Sequence, residues 1–106
     1  MSLDSSSDLS KLYEQAQAAS RLLKALANPD RLLLLCHLVE QESHVSDLEQ
    51  QLGIVQPTLS QQLAVLRREG LVSTRREGKQ IYYRIASPVA QALLETLHQH
   101  FCSDSN

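Results

Sequence analysis

The chain has 106 residues, with 42% hydrophobic and 21% charged residues and a formal net charge of −2. That length suits one small domain, and the apolar content excludes a disordered polymer. The longest strongly apolar run, Leu32 to Leu38, is too short to span a bilayer and contains His37, while Asp4 and Asp8 with no apolar block exclude a secretory signal.

A flexible tail is expected over residues 1–8 and a cytoplasmic location follows, without membrane contact. From Leu9 to Ala27, Leu12, Ala16, Ala19, Leu22, Leu23 and Leu26 recur at helical spacing and predict an amphipathic first helix. Asn28-Pro29 ends it, because a proline ring disfavours helical geometry in the residue before it. Pro29 or Asp30 opens a second helix through about Glu40. It is apolar almost all round (Leu32, Leu33, Leu34, Leu35, Leu38, Val39), which predicts the buried centre of the domain.

Ser46 is placed to cap a third helix, with Glu49 completing a capping box, and Gly53 to end it in a left-handed conformation. A fourth helix is expected from Gln56-Pro57 to about Glu69. Its packed face is Leu59, Leu63 and Leu66, leaving Gln56, Thr58, Gln61 and Gln62 mostly outside and Ser60 near the boundary. Gly70 ends that helix. Val72 to Arg76 and Ile81 to Ile85 then alternate as strands around Glu77-Gly78-Lys79-Gln80. Ser87-Pro88 starts a last helix, whose stripe of Val89, Ala92, Leu93, Leu97 and Phe101, with Ala90, Leu94 and His98 beside it, is wider than a small monomer needs.

Two short helices joined by a turn and followed by a hairpin describe a winged helix-turn-helix, an arrangement that sets one helix in a DNA major groove. The expected fold is mainly α with a small β-hairpin between the fourth and fifth helices, homodimeric, spanning residues 9–102 with a short tail at 103–106. Charge is distributed accordingly. Residues 1–66 hold four Lys/Arg against eight Asp/Glu, residues 67–84 hold six against two, and the remainder none against two. A basic segment in an acidic chain localises phosphate attraction to one surface.

On the fourth helix, Gln56, Thr58, Ser60 and Gln61 are candidate base readers, since glutamine can pair with adenine in a bidentate way and hydroxyls adapt to either partner. Arg67, Arg68, Arg75, Arg76 and Lys79 are candidate phosphate contacts, and Lys79 with Gln80 at the hairpin tip could reach a minor groove. A winged helix used for protein contact is the competing assignment. No phosphate loop, Ser-His-Asp order or paired carboxylates stand out, so neither an enzyme nor a cofactor is expected.

The stretches LLKALANPDRLLLLCHL, DLEQQLG, QPTLSQQLAVLRREGLV and IYYRI resemble the ArsR/SmtB family of bacterial repressors, over about Ala18 to Cys102. That resemblance implies a homodimer through the first and last helices, bound to an inverted repeat in double-stranded DNA. The family's two familiar metal sites are broken. Its thiolate motif falls on Glu42-Ser43-His44-Val45-Ser46-Asp47-Leu48, which has no cysteine, and the Asp and His that open its last-helix zinc site are Ala86 and Pro88 here.

Two cysteines remain, Cys36 and Cys102. The pair resembles the family's two-cysteine branch, of the biofilm-growth repressor and haemolysin-gene regulator type, which responds to persulfide, sulfide-derived species or oxidants. The resemblance implies a reactive sulfur species or oxidant as inducer, bridging Cys36 and Cys102 and releasing DNA from a repressor. A metal-responsive alternative would use Cys36, His98 and Cys102; His98 and Cys102 share a helix face and His100 lies opposite.

Overall fold

The computed structural model describes residues 6–102. The first helix, α1 (Ser6–Leu26), starts three residues ahead of the expected Leu9, with Asp8 in the first turn, where a carboxylate favours the helix dipole. Part of the expected 1–8 tail is therefore helical, and residues 1–5 and 103–106 lie outside the described residues.

Helix α2 (Pro29–Glu40) keeps the predicted bounds, and the Asn28 side chain accepts from the Arg31 backbone N–H at 3.0 Å. Leu34, Leu35 and Leu38 are buried, but Leu33 is exposed, so this nearly all-apolar helix is not enclosed on every side.

A strand with no sequence signal follows. Residues Ser43–His44 form β1, too short for any alternation to reveal. Its existence moves the start of the next helix. Because His44 is still extended, α3 (Val45–Leu52) begins directly after it, and the His44 Nδ1 accepts from the Asp47 N–H at 3.4 Å. The cap is His44 rather than Ser46, which already lies inside the helix. Gly53 ends α3 at φ 71, the left-handed conformation its type suggested.

Helix α4 (Thr58–Arg68) buries Leu59, Leu63 and Leu66. Beyond it, Leu71 N–H donates to the Leu66 carbonyl at 2.9 Å and Gly70 N–H to that of Arg67 at 3.0 Å, turning the chain into the sheet. Strands β2 (Val72–Glu77) and β3 (Gln80–Ile85) pair antiparallel from Val72↔Ile85 to Glu77↔Gln80, leaving Gly78-Lys79 as a two-residue turn. On the other side of β3, β1 adds Ser43↔Tyr83 and His44↔Tyr82, giving the order β1-β3-β2.

Ser87 caps α5 (Pro88–Leu97) through its side chain, which accepts from Ala90 N–H at 3.1 Å, and one π-helical turn, His98–Cys102, continues it. The stripe read from sequence divides between core and surface, with Leu93 packing against the core. Ala90 and Leu94 enter the core, while Val89 is 60% and Phe101 81% exposed.

Two arginines tie the helices together. Arg31 donates through Nε to the Ala25 carbonyl at 2.6 Å, through Nη2 to that of Lys24 at 3.4 Å and through Nη1 to Gln62 Oε1 at 2.9 Å, joining the end of α1 to α4. Arg21 on α1 donates to both carboxylate oxygens of Glu69, at 2.7 and 3.3 Å. These bonds link α1 and the start of α2 to α4 and its C-cap residue.

Adjacent residues in the α3–α4 connection test the core boundary. Ile54 is 7% exposed and Val55 68%. Replacing Ile54 by alanine should cost about 2–5 kcal/mol in urea unfolding, whereas Val55→Ala should stay within about 0.5 kcal/mol.

Candidate nucleic-acid interface

The outer face of α4 carries most of the predicted readers. Gln56, Ser60 and Gln61 are exposed, Thr58 is half-buried, and Gln62 is half-buried with its amide oxygen given to Arg31. Pro57 occupies the N-cap position and supplies no side-chain hydrogen bond. Gln56, one residue earlier, takes over that task. Its Oε1 accepts from the Ser60 N–H at 3.0 Å and from the Ser60 hydroxyl at 2.7 Å. Arg67 and Arg68 sit in the last turn, where positive charge suits the helix dipole, and both are exposed.

The wing, β2 and β3, follows this helix in the chain. Arg75, Arg76, Lys79 and Gln80 are all exposed on it. Arg75 differs from the others in having its charge already matched. Its Nε and Nη2 donate to the two oxygens of Glu42 at 2.8 and 2.9 Å, and Nη1 donates to Glu77 at 2.8 Å. The guanidinium also lies 4.7 Å from the Tyr82 ring centre, and that ring meets His44 edge-on at 5.2 Å.

Hydrogen bonding from Arg75 is the main reason the Glu42 carboxyl is held below the usual carboxylate range, and the same contacts raise the Arg75 guanidinium further. The sequence groups Arg75 with the phosphate contacts, but the structure sets it between two carboxylates at the root of the wing. That separation was invisible in sequence because Glu42 lies far along the chain, in the connection between α2 and β1. Arg84 donates to Ser73 at 3.2 Å, across the β2–β3 pair. Arg76 and Lys79 form no ion pair among the described residues and are the wing's open cations.

Cys36 is half-buried on α2, packed against the core. Four residues along the same helix, Glu40 pairs with His98 Nε2 at 3.0 Å, tying the π-helical turn to α2. The backbone of Cys102 closes that turn, and its side chain lies outside the described residues. Where the family's thiolate motif would fall, Ser43 is buried with His37 Nε2 3.1 Å from its hydroxyl, and His44 caps α3. No group of three or more His, Cys, Asp or Glu side chains among the described residues is arranged to hold a metal ion. None of the described helices is long and apolar enough to cross a membrane.

Comparison with known proteins agrees with this geometry. Residues 28–74 match the family described as bacterial regulatory protein, arsR family. The chain is 52% identical over 92 residues to the biofilm growth-associated repressor of Xylella fastidiosa (strain Temecula1), covering 87% of this chain and 81% of that protein. It is 41% identical to the transcriptional activator HlyU of Vibrio cholerae, over 90% of this chain and 88% of the relative. Among solved structures, the transcriptional repressor BigR from Xylella fastidiosa superposes with a TM-score of 0.82 at 48% identity, covering 92% of this chain and 96% of that one. Reduced HlyU from Vibrio cholerae gives 0.84 at 41% identity, over 88% and 98% of the two chains.

The wing-root contact can be read by titration. Glu42 should ionise below the ordinary carboxylate range, so its contribution is complete at neutral pH and fades as pH falls through the depressed value. In Arg75→Gln the Glu42 carboxyl carbon resonance should titrate closer to the ordinary range; an unchanged midpoint would show that Arg75 does not hold it.

Proposed function

The chain belongs to the arsR family of bacterial regulatory proteins, and on that premise we propose that it is a homodimeric, sequence-specific DNA-binding repressor. The observation that carries this reading is the exposed polar face of α4 followed directly by a hairpin with open cations at its tip. A major groove is wide enough to admit such a helix, with Gln56, Thr58, Ser60 and Gln61 toward base edges. Arg67, Arg68, Arg76 and Lys79 hold flanking phosphates, and Gln80 accompanies Lys79 at the minor groove. Arg75 supports the wing from its root.

Dimerisation is supported by the apolar residues left outside the core. Leu9, Leu12, Tyr13 and Leu23 on α1, and Val89 and Phe101 after the wing, are exposed. A second copy covering both faces would set two reading helices about a two-fold axis, which matches an inverted repeat.

The switch is a thiol reaction at Cys36 and Cys102. With peroxide, one thiolate becomes a sulfenic acid as peroxide oxygen leaves as water, and the second thiol displaces another water to close the disulfide. With a persulfide donor, sulfane sulfur transfers to one cysteine thiolate as the donor leaves as its thiol, and the second thiol attacks the inner sulfur of the new persulfide, closing the disulfide as hydrogen sulfide leaves. A bridge between α2 and the turn after α5 would join the core to the dimer-forming end of the chain. The reduced dimer represses and the bridged dimer releases DNA. The similarity to a repressor and to an activator in the two relatives supports regulation through one DNA surface.

Two measurements test this reading. Arg76→Gln and Lys79→Gln should each weaken duplex binding and lower the slope of log K against log salt by about 1; binding that is unchanged and insensitive to salt would contradict a DNA-binding function. After peroxide, the intact mass should fall by one hydrogen from each thiol, with DNA released, and neither change should occur in Cys36→Ser. Unaltered thiols together with stoichiometric zinc uptake would instead support metal sensing by Cys36, His98 and Cys102.

A further inference from the structure

The hydrogen bonds at the start of α4 also restrict which bases it can select, an inference that rests on the DNA-binding reading above. Gln56 Oε1 lies 3.0 Å from the Ser60 backbone nitrogen and 2.7 Å from the Ser60 hydroxyl. A backbone N–H can only donate, so the amide atom facing it must be the oxygen. That oxygen can only accept, so the Ser60 hydroxyl commits its single proton to it. Both orientations therefore follow from donor and acceptor chemistry.

The contact is also hard to give up. Leu59 N–H is taken by the Val55 carbonyl at 3.1 Å and Gln61 N–H by that of Pro57 at 3.0 Å. The Ser60 N–H is left to Gln56, because Pro57 brings no side-chain cap. A side-chain cap on this exposed first-turn N–H stabilises the helix relative to hydration, which favours the capped arrangement when DNA is bound.

Bidentate pairing with adenine needs the amide oxygen to accept from N6 while the amide nitrogen donates to N7. In Gln56 the oxygen is already occupied. We propose that Gln56 and Ser60 form a couple of fixed polarity in which Gln56 offers only donors and Ser60 only acceptors. Gln56 then selects an acceptor edge, guanine O6 and N7 or thymine O4, and disfavours adenine. Ser60 suits a donor edge, cytosine N4 or adenine N6. Gln61, exposed and with no side-chain hydrogen bond among the described residues, is the glutamine available for the bidentate adenine contact.

The test is selection from a randomised duplex library by the full chain, comparing the parent with Gln56→Ala and Gln56→Glu. The alanine variant locates the base pair under Gln56 as the position whose preference disappears. The glutamate variant keeps an oxygen for Ser60 and so keeps the cap, but removes the donors; thermal melting checks that it is folded. The parent should prefer guanine or thymine at that position by about fivefold or more, and Gln56→Glu should turn the preference to cytosine or adenine. Adenine in the parent, an unchanged profile in Gln56→Glu, or no position altered by either variant would overturn the proposal. Failure of the parent to enrich any sequence would remove the DNA-binding reading itself, and the couple with it.

Discussion

The leucine face of α2 is the constraint on which the rest of the domain depends. This helix packs against α1, α3, α4, α5 and the central strand β3, so the elements that form the surface share one support. Leu34 and Leu35 have no exposed area at all, and Leu38 has almost none. Close packing there transmits small displacements instead of absorbing them. Cys36 lies on the same helix, and Glu40, one turn later, is tied to the turn that carries Cys102. The helix that carries Cys36 is thus also one that packs against α4.

Electrostatics divide the cations into two groups. Arg21, Arg31 and Arg75 are committed to partners within the chain, to Glu69, to the last carbonyls of α1 with Gln62, and to Glu42 with Glu77. Arg76 and Lys79 extend from the wing and Arg67 and Arg68 from the end of α4, facing outward. An acidic chain can in this way present a basic patch, because much of its negative charge lies on other surfaces or is matched locally. Exposed pairs such as Arg75–Glu42 add little to stability, since solvent screens them. Their value is geometric, in holding the wing to the segment before β1.

Much of this was legible in the residues. Asn28-Pro29, Gly53, Gly70 and Ser87-Pro88 mark helix ends through local backbone preference and side-chain capping, and the leucines of α4 identify its packed face without tertiary information. Other features depended on distant partners. His44 caps α3 because a two-residue strand holds it extended, and that strand exists only because β3 offers a free edge. Phe101 and Val89 belong to the apolar stripe of α5 by spacing, but the core accepts its neighbours Ala90 and Leu94 instead. Gln56 is a plausible reader from its type, yet only the observed bond to Ser60 reveals that its oxygen is occupied. Local preference therefore located the elements and the reading face, while the engaged or open state of each polar group was set by long-range contact.

The DNA surface proposed above, the start of α4 with the tip of the wing, can be mapped from backbone amide shifts of the reduced protein, followed by nuclear magnetic resonance during titration with a selected duplex. Residues 56–61 and 76–80 should change most, with the outer faces of α1 and α5 largely unaffected. Changes concentrated on α1 and α5 and absent from α4 and the wing would contradict the account.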